Sequence, residues 1–573
     1  MKIKNFTYIL VIFLLISSCA RKGRPSGGPQ DLMPPILLKA TPDTFQTNVS
    51  TKIREINLNF DEYIVLKDFN QNFLISPPID PAPMVTPVGM PTKNIKIALN
   101  GTLQENTTYA LNFGQSIEDN NEGNKLPYFS YVFSTGDYID SLTLDGKVNF
   151  PLSKKAPENI IAALYRIDSA YTDSIIYKNK PYYLAKTDSA SHFSLKNLKA
   201  GEYRLVAFND ENPNLQFDPR QEHFAFYPEI VNPATNKSYD LTLYKPAQTF
   251  RFIEAKQLEQ GKIGFYFQGN PEKIDIKSIS HDIASAKVIH KPYSDTLLYY
   301  FNPKANGDTL MEKRPRLQFS YTHQGITDTI PNIMYDKLKV TPLKVYAKSM
   351  NYTPGKMYEI EANYPLDTLN KNYIQVREDS VDLDFKIKRI TPFTFGLDFP
   401  LHFDKKYAVA LYPKAAIDIM GRSNDTLQLN FNIQDEREFG NLKLKIQNKP
   451  AFPTWLNLYS SNDKELESIY SEKSQFNFKY LKPGTYYFKL YVDENSNEKY
   501  DTGDFMLQRQ PEPIYIYPEP IEVKAFWDIE ENWILGEEST SDSEIPATPN
   551  SEEISKDRIP EDVLNSNPLE KEN

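Results

Sequence analysis

Two loops of this 573-residue chain carry residue types and a spacing suited to ion chemistry. Asp210, Asn212, Asn214 and Asp218 stand at positions 1, 3, 5 and 9 of the first loop. Asp493, Asn495, Asn497 and Asp501 stand at the same positions of the second, with Asp504 at position 12. Calcium takes six to eight oxygen ligands, and alternating side chains around a tight curve aim such oxygens inward. Asn and Asp also serve in a second way, by hydrogen-bonding their own backbone and shaping a turn. Position 6, where a calcium loop uses Gly for its sharp turn, holds Leu215 in one copy and Glu498 in the other. Neither copy has Glu at position 12, and no helical pattern flanks either loop. The departures weigh towards self-capped turns, and both readings stand at this point.

Little else in the chain points to chemistry. His192, His223, His281, His290, His323 and His402 form no HExxH or paired metal spacing, and there is no G-x-S-x-G elbow. One cysteine and six histidines exclude an intrachain disulfide and a Cys/His zinc framework. Asp61 and Glu62 are adjacent in a strand-like run and so point to opposite faces, which keeps them from flanking one bond. No enzyme is expected. The tyrosine pairs Tyr182-Tyr183, Tyr299-Tyr300, Tyr486-Tyr487 and Tyr515/Tyr517 could offer platforms to sugars or proteins, although one of each adjacent pair belongs to a core.

The sole cysteine, Cys19, sits in a different context. Lys2 and Lys4 precede an apolar run from Tyr8 to Ile16, nine residues long. A spanning helix needs about 20, so the run reads as the core of a signal peptide. Ile16-Ser17-Ser18-Cys19 resembles the bacterial lipobox of lipoproteins. The resemblance implies that the Cys19 thiol takes a diacylglycerol, that cleavage leaves residues 1–18 as the signal peptide, and that the new amine takes a further chain. Two or three chains anchor stably, since each buried CH₂ contributes about 0.8 kcal/mol. Ala20 stands where inner-membrane lipoproteins resemble one another in having Asp, which implies the outer membrane. Arg21 and Lys22 stand where surface-exported, Bacteroidetes-like lipoproteins carry acids, which favours the periplasmic face. Residues 19–33, rich in Gly, Pro and polar residues, form a tether.

The elements that must carry these loops are strands. Proline (42) outnumbers glycine (22), and Tyr (37) and Phe (34) supply nearly all of the aromatics, a composition for short strands joined by stiff connections. Ile56-Asn57-Leu58-Asn59-Phe60 and Tyr109-Ala110-Leu111-Asn112-Phe113 alternate apolar and polar residues, the mark of half-buried antiparallel strands. The fold class is all-β, as tandem β-sandwich modules. At the far end, residues 536–573 have no aromatic side chain and eleven acids against three bases, a disordered acidic tail. The tail accounts for most of the net charge of −10, and no basic face suggests nucleic acid as a partner.

Pro34 to Gly136 resembles the SbsA-type bacterial Ig-like domain, in PPILLKATP, INLNFDEYI, NTTYALNFGQSIEDNNEGN and the closing YVFSTG. The resemblance implies a spacer or adhesive fold in which Asp119 and Gly123-Asn124 close a hairpin. The chain also repeats: Phe193–Asp218 and Phe476–Asp501 share eleven of 26 residues at a constant offset, including Leu-Lys-x-Gly-x-Tyr. That phrase resembles prealbumin-like or carboxypeptidase-regulatory-like sandwiches. A fainter repeat pairs Tyr407–Asn424 with Tyr109–Asn124. The resulting order is Ig-like (34–137), prealbumin-like (138–248), a bridging β-module (249–340), Ig-like (341–436) and prealbumin-like (437–535). The whole reads as a non-enzymatic, lipid-anchored outer-membrane rod for scaffolding or adhesion, with the membrane as partner through Cys19 and with envelope proteins or glycans as further partners. A glycan-binding or glycan-processing lipoprotein of a nutrient-uptake system is the alternative.

Overall fold

The computed structural model describes residues 31–536 apart from 154, 270–272, 282, 284–285, 291–293, 305–314 and 350–351. Cys19 and all of the expected acidic tail except Gly536 lie outside the described residues. Among the described residues the fold is all-β, with helical turns of five residues or fewer. No helix among them is long and apolar enough to cross a membrane.

Alternation in the sequence becomes alternation of burial. Ile56, Leu58 and Phe60 are buried while Asn57 and Asn59 are only half-buried, and Tyr109, Leu111 and Phe113 repeat the pattern. These six side chains belong to one apolar cluster between two sheets. One sheet runs Leu37–Thr41, Glu55–Leu66, Thr92–Ala98, Met84–Thr86; the other runs Leu74–Ser76, Thr108–Gly114, Phe129–Ser134.

Residues 341–436 have the same strand order. Val345–Ala347, Tyr358–Ala362, Thr394–Asp398 and Lys386–Arg389 form one sheet, and Ile374–Glu378, Lys406–Leu411 and Leu427–Asn432 run in the other. Two details recur in both. The Tyr109 hydroxyl accepts the Gln104 N–H (2.8 Å), and the Tyr407 hydroxyl accepts the His402 N–H (2.7 Å). The Asp119 carboxylate accepts the N–H groups of Asn121 (2.8 Å) and Asn124 (2.7 Å), while Asp418 takes those of Met420 and Arg422 (2.9 Å each).

The stronger repeat is also visible in the topology. In residues 138–248 one sheet runs Tyr183–Lys186, Ile160–Arg166, Tyr203–Asn209, Phe224–Phe226, and the other His192–Leu198, Leu142–Asn149, Tyr239–Thr242. The last pair is parallel. Residues 437–535 reproduce the order with Glu465–Ser471, Thr454–Ser460, Gly484–Val492, Ile514–Ile516, and with Gln475–Leu481, Gly440–Gln447, Asp528–Ile534, again ending in a parallel pair. The shared Leu-Lys-x-Gly-x-Tyr acquires a physical role here. The Tyr203 hydroxyl donates to the Lys199 carbonyl (2.9 Å) and the Tyr486 hydroxyl to the Lys482 carbonyl (2.6 Å), so a buried phenol satisfies the turn before its own strand. Between these stretches, a four-stranded and a three-stranded sheet enclose the core around Phe265, Tyr299 and Phe319.

The expected rod is corrected by the way the last sandwich packs. Phe505, from the loop before Ile514–Ile516, lies only 3% exposed in the aromatic core of residues 138–248. Its ring centroid is 5.4 Å from Phe224 and 5.1 Å from Phe226, and the Arg204 guanidinium lies 5.8 Å over it. Gly503 lies flat on Tyr244, where a Cβ would come within 2.6 Å of the ring. Polar contacts frame the plug: Thr502 to the Lys245 carbonyl (2.6 Å), Gln510 to the Phe226 carbonyl (3.0 Å) and Lys489 to the Leu152 carbonyl (3.0 Å). The chain therefore folds back on itself. Along its course, Glu259 bonds Tyr364 and Phe403 packs on Tyr480 (5.1 Å), joining the intervening modules.

Candidate functional site

Both repeated loops follow a buried strand that delivers an Asp at its end. In the first, the two Asp210 carboxylate oxygens accept the N–H groups of Asn214 (3.2 Å) and Leu215 (3.1 Å). In the second, Asp493 accepts those of Asn497 (3.0 Å) and Glu498 (2.8 Å), with the Tyr470 hydroxyl donating to it as well (2.7 Å). Leu215 and Glu498 have φ of 61° each. The position that a calcium loop gives to Gly thus takes a left-handed backbone in both copies, although neither residue favours it.

Each loop is clamped by a second carboxylate that the sequence reading missed. Glu222, fully buried, accepts the N–H groups of Glu211 (3.1 Å) and Asp218 (2.8 Å). Glu512 accepts the equivalent pair, Glu494 (2.8 Å) and Asp501 (2.7 Å). Glu222 follows Asp210 by twelve residues and Glu512 follows Asp493 by nineteen, so the constant offset of the repeat breaks just before them. The seven extra residues of the second copy build the hairpin that carries Phe505. Asp504, expected at position 12 of the loop, instead opens that hairpin. It pairs backbone to backbone with Arg509 (2.8 and 2.9 Å) and caps the Leu507 N–H (3.1 Å).

The remaining Asx side chains are engaged locally. Asn214 accepts the Gln216 N–H (2.7 Å), Asp218 accepts the Arg220 N–H (2.9 Å), and Asn497 both accepts the Lys499 N–H (2.8 Å) and donates to Asp501 (2.7 Å). Asn212 reaches Gln221 (3.5 Å), and Asn495 donates to Asp501. Among the described residues no group of three or more His, Cys, Asp or Glu side chains is placed to hold a metal ion.

Electrostatics separates the two copies. Burial, with the neighbouring Asp210 charge, pushes the Glu222 carboxyl up to about 7, and burial raises Asp210 as well. Burial likewise raises Glu512. For Asp493 burial works in the same direction, but the Tyr470 hydroxyl and the loop N–H groups hold it below the usual carboxylate range. A group with a raised folded pKa binds its proton more tightly than the unfolded chain does. Its contribution to stability is therefore complete below about pH 4.5 and is lost as pH rises through 7. Glu222→Gln mimics the protonated form. Its stability relative to the parent chain should rise between pH 4.5 and 7, by at most about 1.4 kcal/mol per pH unit, and level off above. Urea midpoints of the two proteins across that range check this; parallel curves would contradict it.

The paired tyrosines form no exposed platform. Tyr183, Tyr299, Tyr300 and Tyr486 are buried, and Tyr182, Tyr487, Tyr515 and Tyr517 are half-buried.

Residues 31–135 match the family model of the bacterial Ig-like domain, in agreement with the resemblance read over Pro34 to Gly136. No curated protein matches the chain. Three solved structures are similar at low identity. One is the Bacteroides ovatus SGBP-B of a mixed-linkage glucan utilization locus, in complex with a heptasaccharide (10% identity, 78% of this chain and 98% of that one, TM-score 0.19). The Bacillus anthracis TIE protein is 11% identical over 89% of this chain and 75% of that one, with a TM-score of 0.14. The S-layer protein rSbsC is 10% identical over 85% and 67%, with a TM-score of 0.13. At these TM-scores the likenesses carry no weight beyond their mention.

Proposed function

We propose that the chain is a non-enzymatic lipoprotein of a bacterial outer membrane, anchored through Cys19, whose folded-back sandwiches act as a scaffold for envelope proteins or glycans. The observation that carries the reading is the sole thiol, placed at the end of Ile16-Ser17-Ser18-Cys19 and followed by a short Gly/Pro tether to the first strand. The bacterial Ig-like match over 31–135 supports an envelope setting. Arg21 and Lys22 favour the periplasmic leaflet. Protease added to intact cells should therefore spare the protein and digest it once the outer membrane is permeabilised. Digestion in intact cells would reverse the orientation.

Calcium at the two loops is a second proposal, favoured by the left-handed backbone at Leu215 and Glu498 and by the buried like charges of Asp210 and Glu222. Extracellular modules bind calcium at roughly 10⁻⁴–10⁻³ M, so millimolar calcium should add about 0.4 to 1.4 kcal/mol per site. The check is the thermal midpoint with calcium and with chelator, in the parent chain and in Asp218→Asn and Asp501→Asn. A midpoint indifferent to calcium makes the loops self-capped turns.

A further inference from the structure

Between residues 341–436 and 437–535 lies a cleft of about 870 Å³, within the range of small-ligand sites. Its walls carry five lysines against three glutamates. Lys348 pairs with Glu359 (2.5 Å), and Lys356 reaches across the cleft to Glu467 (3.5 Å). Among the described residues neither Lys464 nor Lys479 pairs with an acid, and both are exposed. The lining is therefore cationic and has charge to spare.

The wall also holds a strained aromatic. Tyr480 has φ of 58°, in the left-handed region that a bulky side chain adopts at a cost of roughly 1–2 kcal/mol. The equivalent position of the first copy is Asn197, with φ of 56°, a residue type that tolerates this backbone. The bulge is thus common to both repeats, and only the second copy places an aromatic ring on it, half-buried beside Phe403 and Phe439. Strain of this kind collects where side-chain placement serves function. Thr353, 8% exposed, also lines the cleft, and its buried hydroxyl has no hydrogen-bond partner among the described residues.

We infer that this cleft binds an anionic oligosaccharide. The Tyr480 ring would take the apolar face of a sugar, the exposed Asn432 its hydroxyls, and Lys464 and Lys479 its carboxylates. An acidic peptide would use the lysines but leave the ring idle. The site does not depend on the lipid anchor.

The test is calorimetric titration of the purified full chain with hexagalacturonate, with cellohexaose and hexaglutamate as comparisons. Hexagalacturonate should bind at least tenfold more tightly than either and should weaken with salt. Tyr480→Asn installs the residue of the first copy and relieves the backbone. It should weaken binding at least tenfold in a chain whose cooperative urea transition shows that it still folds, although the ring contacts to Phe403 and Phe439 are lost with it. Lys464→Gln with Lys479→Gln should weaken binding and flatten its salt dependence. Absence of hexagalacturonate binding, equal binding of hexaglutamate, or a Tyr480→Asn chain that binds like the parent would overturn the proposal.

Discussion

Phe505→Ala is expected to remove about 3–5 kcal/mol from the contact between the second and fifth sandwiches, as for other buried Phe truncations. The ring fills a pocket formed by Phe224, Phe226 and Tyr244, and its loss leaves a void beneath the Arg204 guanidinium. Arg204 is itself buried and keeps the Tyr227 and Pro228 carbonyls (3.1 and 3.0 Å), so it has little freedom to refill the space. Because the contact joins parts of the chain far apart in sequence, losing it should open the molecule as well as destabilise it. Small-angle scattering should show a larger radius of gyration, and urea unfolding of residues 138–248 and 437–535 should separate. Leu507→Ala is the control: Leu507 lies two residues on, is 70% exposed, and should change stability by no more than about 0.5 kcal/mol. A Phe505→Ala chain as compact and as stable as the control would mean that the plug does not close the molecule.

How much of this was legible in the sequence follows from which forces act locally. The strand alternation of Ile56 to Phe60 and Tyr109 to Phe113 reads directly, since a half-buried strand sorts its residues by face. The repeat reads because Leu-Lys-x-Gly-x-Tyr recurs, and in both copies its Tyr, Tyr203 or Tyr486, donates to a carbonyl four residues back. The fold-back was not legible. Phe505 sits among Asp504, Met506, Leu507 and Gln508, a stretch with no periodicity, and nothing local marks it as the one side chain that another module will bury.

At the loops, Asp210 and Asp493 were legible as turn-formers because an Asx side chain acts on its near neighbours. Glu222 and Glu512 were not, because unequal loop lengths hide their equivalence and only the folded loop brings each to the same two N–H groups. The left-handed backbone at Leu215 and Glu498 has no side-chain signal at all. It is imposed by the Asp ahead of it, whose carboxylate accepts that residue's own N–H.

Replacing Cys19 by Ala should have the largest effect on where the protein resides. A single acyl chain gives marginal, reversible attachment, whereas two or three, at about 0.8 kcal/mol for each buried CH₂, anchor stably. No helix among the described residues is long and apolar enough to span a bilayer. Cys19 is the only thiol in the chain, so any thioether-linked lipid must be on it. The sandwiches begin after the tether, so Cys19→Ala should leave their folding intact and change only attachment. The most direct measurement is radiolabelled palmitate incorporation in the parent and Cys19→Ala chains, followed by membrane fractionation. Label and membrane pelleting in the parent, with both lost in Cys19→Ala, is the expected result; an unlabelled parent, or a variant that still pellets with label, would contradict it.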